Sequence, residues 1–235
     1  MADVPRLVEV RVSHYEREAQ PYQQHPLKIV HVNPHSIVRL CRLHLETRES
    51  HGSKYHDLGK IYDGDWDLPE NNPLLQESST DRAVRQRYIE GVSWNQTPAF
   101  RVKLRRIKEG KRIDGCSSRR ELERRYERLD RVAESMALEG FRLIRKTDGS
   151  LDFNQLLSVS FSRHGEPLLG TGGKHRLAIA KLLDLPSIPV LVFVRHEAWQ
   201  QVLDSFFKGV HPNAKLLAAH PDLKENCGKR SSSVS

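Results

Sequence analysis

Residues 168–190 read LLGTGGKHRLAIAKLLDLPSIPV, and this stretch decides the fold. An apolar run leads into a turn of small residues, and a helical pattern begins at Lys174 and stops before Pro186. An apolar segment typical of a buried strand then begins at Ile188. Strand, turn, helix and strand in such close succession are typical of a compact α/β unit. We therefore predict an α/β (α+β) fold with a mixed sheet.

Further elements are predicted on both sides of this unit. Alternating or apolar runs predict strands at 7–12, 26–32, 141–145, 156–161, 167–171 and 188–194. Helical periodicity and capping residues predict helices at 81–91, 119–139, 174–185 and 197–207. The segment 61–75 is dense in turn residues, and the polar end of the chain, 225–235, is expected to be disordered.

The helix predicted at 119–139 has two contrasting faces. Ser117 or Ser118 can cap its start and Gly140 its end. Its apolar residues recur at spacings of three and four and define one face: Leu122, Tyr126, Leu129, Ala133 and Met136. Four arginines fall on roughly the opposite face: Arg120, Arg124, Arg128 and Arg131. This column is either a solvated face or a surface that binds phosphates and acids, including those of nucleic acid.

The charge of the chain is concentrated near this helix. The formal net charge is +8 at pH 7. Between Arg101 and Lys146 there are 16 Lys and Arg residues against 8 Asp and Glu residues. A localised basic segment indicates a polyanionic partner or a phosphate ligand.

Composition sets the cellular context that we expect. Hydrophobic residues make up 37% of the chain, and no run approaches the roughly 18 apolar residues that a membrane span needs. The three cysteines are far apart and form no CxxC pair, which argues against a structural zinc site and for reduced thiols. We therefore predict a cytoplasmic protein with no membrane partner, and we assign no residue to a metal.

The motif GTGGKHR, residues 170–176, can form an anion site. Gly172 and Gly173 allow a ligand close to the main chain, and a helix N-terminus offers N–H groups and a positive dipole end. The side chains that follow, Lys174, His175 and Arg176, add donors suited to phosphate. The alternative is a glycine turn whose basic helical residues face water.

Three segments in this order resemble the N-terminal domain of the ParB/sulfiredoxin superfamily. They are RVAESMALEGFRLI, then LLGTGGKHRLAIAKLLDL, then SIPVLVFV, and together they cover roughly residues 120–200. The resemblance implies a compact mixed sheet with helices and a cradle for a nucleoside triphosphate or phosphate. The residues implied in that cradle are Gly172, Gly173, Lys174, His175 and Arg176, and the preceding Thr171 belongs to the same turn.

Departures from the family pattern limit the chemistry. Sulfiredoxins have Gly-Gly-Cys-His-Arg, and Lys174 stands where their cysteine would be, so the nucleophile for sulfinic-acid repair is missing. ParB partition proteins have Gly-Glu-Arg-Arg, so Lys174 also replaces a carboxylate that could hold magnesium. Family members that act as serine kinases have Asp-Gly-His-His-Arg, whose aspartate is replaced by Gly172.

Residues outside the motif complete the candidate site. Asp65 and Asp67 are candidates for the missing acidic partner in catalysis, together with His175, although Asx-turn chemistry is the simpler explanation of these aspartates. Arg195 could reach the same ligand from the carboxyl end of the strand at 188–194, where α/β sheets usually bind; alternatively it pairs with Glu197.

These observations predict three segments and one main function. The segments are an N-terminal region (1–112), a ParB/sulfiredoxin-like domain (113–210) and a C-terminal tail (211–235). We expect the domain to bind a nucleotide, CTP or ATP with Mg²⁺, or another phosphorylated ligand, and to act as a nucleotide-dependent phosphotransferase or hydrolase if it is catalytic. The alternatives are a DNA-associated protein that contacts the backbone without sequence preference, and an inactive interaction module. Too few residues follow Val194 for a DNA-reading helix-turn-helix domain.

Overall fold

The computed structural model describes residues 28–43, 57–145, 147, 149, 151–152, 156–170 and 172–224. These residues form a mixed sheet of five strands with six helices, so the predicted α/β fold class is confirmed. The strand predicted at 7–12 and the tail at 225–235 lie outside the described residues. Within the described part of the chain, no helix is long and apolar enough to cross a membrane.

The structure defines the bounds of five strands and six helices. The strands are β1 (Ile29–Val32), β2 (Ile61–Tyr62), β3 (Ser158–Phe161), β4 (Pro167–Leu169) and β5 (Ile188–His196). The helices are α1 (Ser79–Tyr88), α2 (Pro98–Lys108), α3 (Arg119–Glu139), α4 (Lys174–Leu182), α5 (Glu197–Phe207) and α6 (Ala214–Leu217).

Strand β5 is the centre of the sheet, and all nine of its residues are buried. On one side it pairs with β1, antiparallel along its first half, and with β2, parallel at its end. On the other side it pairs with β3 in parallel, and β4 pairs antiparallel with β3 at the edge. Because β4 runs opposite to β3 and β5, the turn after β4 lies at the end of the sheet where β3 and β5 begin.

Residues on both sides of the predicted boundary at 112 share this sheet. Strands β1 and β2 come from the N-terminal region, and α1 from that region packs on α4. Val30 and Val32 belong to the same apolar core as Val159 and Val190. The N-terminal region therefore supplies part of the core around the motif.

Helix α3 forms over the predicted residues because both of its ends are capped. The Ser118 hydroxyl accepts a hydrogen bond from the Glu121 amide at 3.2 Å, and the Glu121 carboxylate accepts one from the Ser117 amide at 2.6 Å, which resembles a capping box. Gly140 ends the helix with a φ of 74°. The apolar face is buried as predicted, with Tyr126 only 1% exposed, whereas the four arginines are exposed.

Two predictions of local structure are wrong. No strand forms at 141–145; only Arg145 forms an isolated bridge, with Leu151, because the chain leaves α3 through Gly140 without meeting a strand of the sheet. Helix α4 ends at Leu182 and not at 185, because Asp184 takes a left-handed conformation with a φ of 49°.

Helix α2 was not predicted, although its sequence carries a start signal. The Thr97 hydroxyl accepts a hydrogen bond from the Phe100 amide at 3.3 Å, and Pro98 occupies the first turn. Phe100 and Ile107 are buried, and with Leu104 between them they give the helical spacing of four and three. The many basic residues of α2 obscure this apolar face.

The segment after α6 is fixed to the core by Asp222, which is fully buried. Its carboxylate accepts two hydrogen bonds of 2.7 Å from Arg195 and one of 3.0 Å from Trp199 Nε1. Lys28 Nζ lies 3.3 Å from the same carboxylate. Burial acts to raise the pKa of Asp222, but the charges of Arg195 and Lys28 outweigh it and hold the pKa well below its usual range.

We expect Asp222→Asn to lower the free energy of unfolding by about 3–5 kcal/mol, because it removes the charge with which Asp222 pairs the buried Arg195. Urea unfolding at pH 7 measures this loss. Asp184→Asn is the matched control: Asp184 is 92% exposed and pairs with His35 at the surface, so its change should stay within about 0.5 kcal/mol. Equal losses in the two variants would contradict the role of Asp222.

The stabilisation from Asp222 should also depend on pH. A carboxylate whose folded-state pKa is depressed stabilises the fold above the unfolded pKa of about 3.9, and this contribution is lost as the pH falls below that value. The difference in unfolding free energy between the wild type and Asp222→Asn should therefore shrink between pH 7 and pH 3. A difference that is constant with pH would rule out the ion pair as its source.

Candidate functional site

A cleft of about 680 Å³ opens between the second half of α3, the residues after it and the start of α4. The lining residues are Arg125, Arg128, Leu129, Arg131, Val132, Ser135, Met136, Gly140, Phe141, Arg142, Ile144, Gly172, Gly173, Lys174, His175 and Arg176. Its volume is within the range of roughly 300–1,000 Å³ that small-molecule sites occupy. The glycine motif and the arginine-bearing helix, which are separate features of the sequence, thus meet in one cleft.

The turn before α4 needs glycine at two positions. Gly172 and Gly173 have φ angles of 80° and 72°, which residues with a Cβ rarely adopt. Gly173 is also tightly packed, since a Cβ there would lie 3.1 Å from Leu157 Cγ. Helix α4 begins immediately afterwards, and its N-cap Gly173 has no side chain to cap it. The N-terminus of a helix favours an anion.

The lining of the cleft carries charge of one sign. Six of the lining residues are Lys or Arg and none is Asp or Glu. Arg142 pairs with Glu139, which lies outside the cleft, at 3.2 Å. Within the described part of the chain, Arg128, Arg131 and Lys174 have no ion-pair partner. The cleft therefore has an excess of positive charge that an anion would balance.

Partial burial of Lys174 and Arg176 adds to the electrostatic preference of the cleft for an anion. Burial lowers the pKa of Lys174; Asp114 opposes the shift and Lys103 adds to it. Burial also lowers the pKa of Arg176, against the nearby charge of Asp152. A bound anion would replace the hydration that these cations lose, which favours binding over leaving the cleft to water.

Apolar side chains form the rest of the cleft. Leu129, Val132 and Met136 project from α3, and Phe141 and Ile144 follow it. The Arg176 guanidinium lies over the Phe141 ring, 5.7 Å from its centroid, a cation–π arrangement that orients the arginine. The cleft thus combines a cationic side with an apolar side.

His175 is neutral at physiological pH. Burial lowers its pKa to about 3, and the positive charges of Lys103 and Arg125 add to the shift. Its Nε2 atom is buried and has no hydrogen-bond partner within the described part of the chain. His175 can therefore serve as a neutral hydrogen-bonding group in the cleft wall, whereas Lys174 and Arg176 supply charge.

The two predicted acidic candidates do not reach the cleft. The Asp67 carboxylate accepts a hydrogen bond of 2.6 Å from the Arg163 amide and one of 2.8 Å from its guanidinium, and Asp65 accepts one of 2.9 Å from the same guanidinium. His196 Nε2 lies 3.8 Å from Asp67. Since Arg163 follows β3, this cluster lies at the opposite end of the sheet from the turn.

Arg195 is also placed away from the motif. It is 4% exposed and pairs with Asp222, not with Glu197 and not with a group in the cleft. Leu157 is the residue that a Cβ on Gly173 would meet, and its carbonyl accepts a hydrogen bond of 2.8 Å from the Leu191 amide of β5. Arg195 lies four residues further along, or about 13 Å. The antiparallel direction of β4 explains this separation, and Thr171 lies outside the described residues.

One acidic group next to the motif, Asp114, was not predicted from the sequence. Its carboxylate lies 2.7 Å from Lys103 Nζ and 3.8 Å from Arg125 Nε, and its charge acts on both Lys174 and His175. The dipeptide Asp114-Gly115 indicates a turn, and Asp114 adopts a left-handed φ of 52°. The turn was the one signal in the sequence that pointed to Asp114. Its pairing with Lys103 could not be predicted, because that contact depends on how α2 packs.

Comparison with known proteins leaves the site to be interpreted from its own geometry. No protein-family model matches the chain, and neither does any curated protein or solved structure. Among the described residues there is no group of three or more His, Cys, Asp or Glu side chains that could hold a metal ion. The site is therefore defined by the cations, the glycine turn and the apolar wall.

The glycine turn gives a direct test of this geometry. We expect Gly172→Ala to cost about 1–2 kcal/mol of stability, the penalty for a left-handed residue with a Cβ. Gly173→Ala should cost more, because its Cβ also overlaps Leu157, whereas a Cβ at Gly172 meets nothing within 4 Å. Urea unfolding of both variants measures the difference, and a smaller loss for Gly173→Ala would contradict the packing described here.

Proposed function

We propose that the chain binds a phosphorylated ligand, a nucleoside triphosphate such as CTP or ATP, in the cleft between α3 and α4. The observation that carries this proposal is the lining, which has six cationic residues and no carboxylate. Phosphate oxygens accept bidentate hydrogen bonds from arginine and single ones from lysine and main-chain N–H groups. All three kinds of donor border this cleft.

The arrangement of the donors suggests how such a ligand lies. The first N–H groups of α4, with Lys174 and Arg176, would hold one phosphoryl group at the turn. Arg128 and Arg131 would hold another from α3, since both line the cleft and neither has an ion-pair partner among the described residues. The nucleoside would then pack on the apolar side, near Phe141.

The proposal includes a relationship to the ParB/sulfiredoxin superfamily. What supports it is the order β3, β4, glycine turn, α4 and β5, which is the order expected from the resemblance. Lys174 stands where family members have cysteine or glutamate, and Gly172 stands where the serine kinases have aspartate. The chemistry that depends on those family residues is therefore not part of this proposal.

We limit the proposal to binding. Hydrolysis or phosphoryl transfer needs a group that activates a nucleophile, and Asp65 and Asp67 are held by Arg163 at the other end of the sheet. Asp114 is engaged by Lys103. Because carboxylates are the side chains that commonly hold Mg²⁺ beside phosphates, we expect the ligand's charge to be balanced mainly by the arginines and lysines.

A second candidate function is contact with a nucleic-acid backbone. Arg120 and Arg124 continue the exposed column of Arg128 and Arg131 along α3, so the column extends from the cleft over about 16 Å. Backbone contact would weaken steeply with salt and would use all four arginines. If neither class of ligand binds, an interaction module is the remaining function.

Calorimetric titration with CTP, ATP and GTP, with and without Mg²⁺, tests the proposal. We expect Arg131→Ala to weaken binding by about 10- to 100-fold, the effect of losing a hydrogen bond to a charged group. Arg176→Ala should weaken binding as well. Arg124→Ala is the matched control, because Arg124 is exposed on the same helix but does not line the cleft.

The outcomes separate the two candidate functions. Unchanged affinity in Arg124→Ala together with a loss in Arg131→Ala supports a nucleotide in the cleft. Equal losses in both variants, with binding of single-stranded DNA, would favour the backbone contact. Absence of binding by every nucleotide would overturn the proposed function.

A further inference from the structure

A cluster of polar side chains lies between the cleft and the core. It consists of Lys103 from α2, Asp114 from the loop before α3, Arg125 and Tyr126 from α3, and His175 from α4; we call these five residues the inner cluster. Arg125 and His175 also line the cleft, so the inner cluster is continuous with it. The fold brings together polar groups that the sequence places up to 72 residues apart.

The contacts within the inner cluster are close. Lys103 Nζ lies 2.7 Å from Asp114 Oδ2 and 5.5 Å from the centroid of the Tyr126 ring. Arg125 Nε lies 3.8 Å from Asp114 Oδ2, too far for a hydrogen bond. The rings of Tyr126 and His175 meet edge to face with centroids 5.9 Å apart.

Three polar atoms of this cluster are buried without a hydrogen-bond partner among the residues that the structure describes. They are Arg125 Nε, Tyr126 Oη and His175 Nε2. Tyr126 is 1% exposed, so solvent at the surface cannot satisfy its hydroxyl. Folded proteins leave few such groups, because each is costly to bury. The Tyr126 and His175 rings are in contact, and Arg125 precedes Tyr126 in α3 and acts electrostatically on His175. Three such atoms within one cluster indicate that it is completed by a ligand.

The chemistry of the cluster selects the ligand. Arg125 Nε–H and Tyr126 O–H are donors, and a neutral His175 donates from Nε2 in one of its two tautomers. Lys103 and Arg125 outnumber the single carboxylate of Asp114, and Lys174 lies close enough to interact with Asp114 and Lys103. Water could accept the hydrogen bonds but would leave this positive charge unbalanced, whereas an oxyanion supplies both lone pairs and charge.

We infer that the inner cluster is an anion subsite that binds a phosphoryl group through Arg125 Nε, Tyr126 Oη and His175 Nε2. The group is either the terminal phosphoryl of the ligand in the cleft or free inorganic phosphate. This inference deepens the proposed function and rests on it. It also assigns a binding role to Tyr126, a residue on the apolar face of α3.

Tyr126→Phe tests the subsite, because it removes only the hydroxyl and keeps the ring that packs on Trp94 and Phe100. Calorimetry with ATP, AMP and inorganic phosphate should show a loss of about tenfold or more for the compound that fills the subsite. The melting temperature of the free protein should not fall, because the hydroxyl has no partner to lose. This variant should therefore bind more weakly while its melting temperature stays the same.

Tyr88→Phe is the matched control. The Tyr88 hydroxyl donates to Asp130 at 2.9 Å, and its ring also packs on Trp94. This variant should lower the melting temperature and leave all three affinities unchanged. It shows the effect of removing a tyrosine hydroxyl that is already satisfied in the same part of the core.

Each outcome assigns the ligand or overturns an inference. A loss for ATP alone identifies the terminal phosphoryl group, and a loss for inorganic phosphate identifies the free anion. If Tyr126→Phe binds all three compounds as the wild type does, the subsite is overturned and the proposed function stands. If the wild type binds none of them, the proposed function fails and this inference fails with it.

Discussion

The close approach of Gly173 to Leu157 is the constraint on which the site depends. It holds the turn after β4 against the start of β3 so closely that a Cβ on Gly173 would lie 3.1 Å from Leu157 Cγ, and it fixes where α4 begins. Helix α4 then packs on α3 and on α1, so its first residues face the arginines of a helix that is distant in sequence. Without this contact, the motif and the basic helix would remain separate features.

This arrangement places positive charges close together where burial reduces their hydration. Lys174 and Arg176 are partly buried, and burial lowers the pKa of both. Like charges brought together at reduced hydration destabilise the free protein. A polyanion reverses both effects, because it supplies opposite charge and accepts hydrogen bonds. The structure therefore favours a ligand-binding interpretation of the arginine column where it meets the cleft, whereas Arg120 and Arg124 fit a solvated face equally well.

Local signals in the sequence predicted most of the helices and strands. Which residues meet at the site, in contrast, depends on the pairing of segments that are distant in the sequence. Helix α3 was predicted from Ser118 and Gly140, which act within one turn of its ends. The distance of Arg195, Asp65 and Asp67 from the motif depends on the direction of β4. That direction is set by pairing with β3, and the sequence of the motif carries no signal for it. The same limit explains Asp114, whose place beside His175 is set by the packing of α2 against α3. The glycines and cations of the motif were found because their roles depend on adjacent residues.

The central claim is that a phosphorylated ligand binds at the start of α4. An NMR titration of the isotopically labelled full chain with ATP tests it most directly, because the amide shifts locate the binding surface. The account predicts saturable shifts of the amides of Gly173, Lys174, His175 and Arg176, with little change at Asp67 and Arg195 near the other end of the sheet. Shifts confined to that other end, with the α4 amides unmoved, would contradict it.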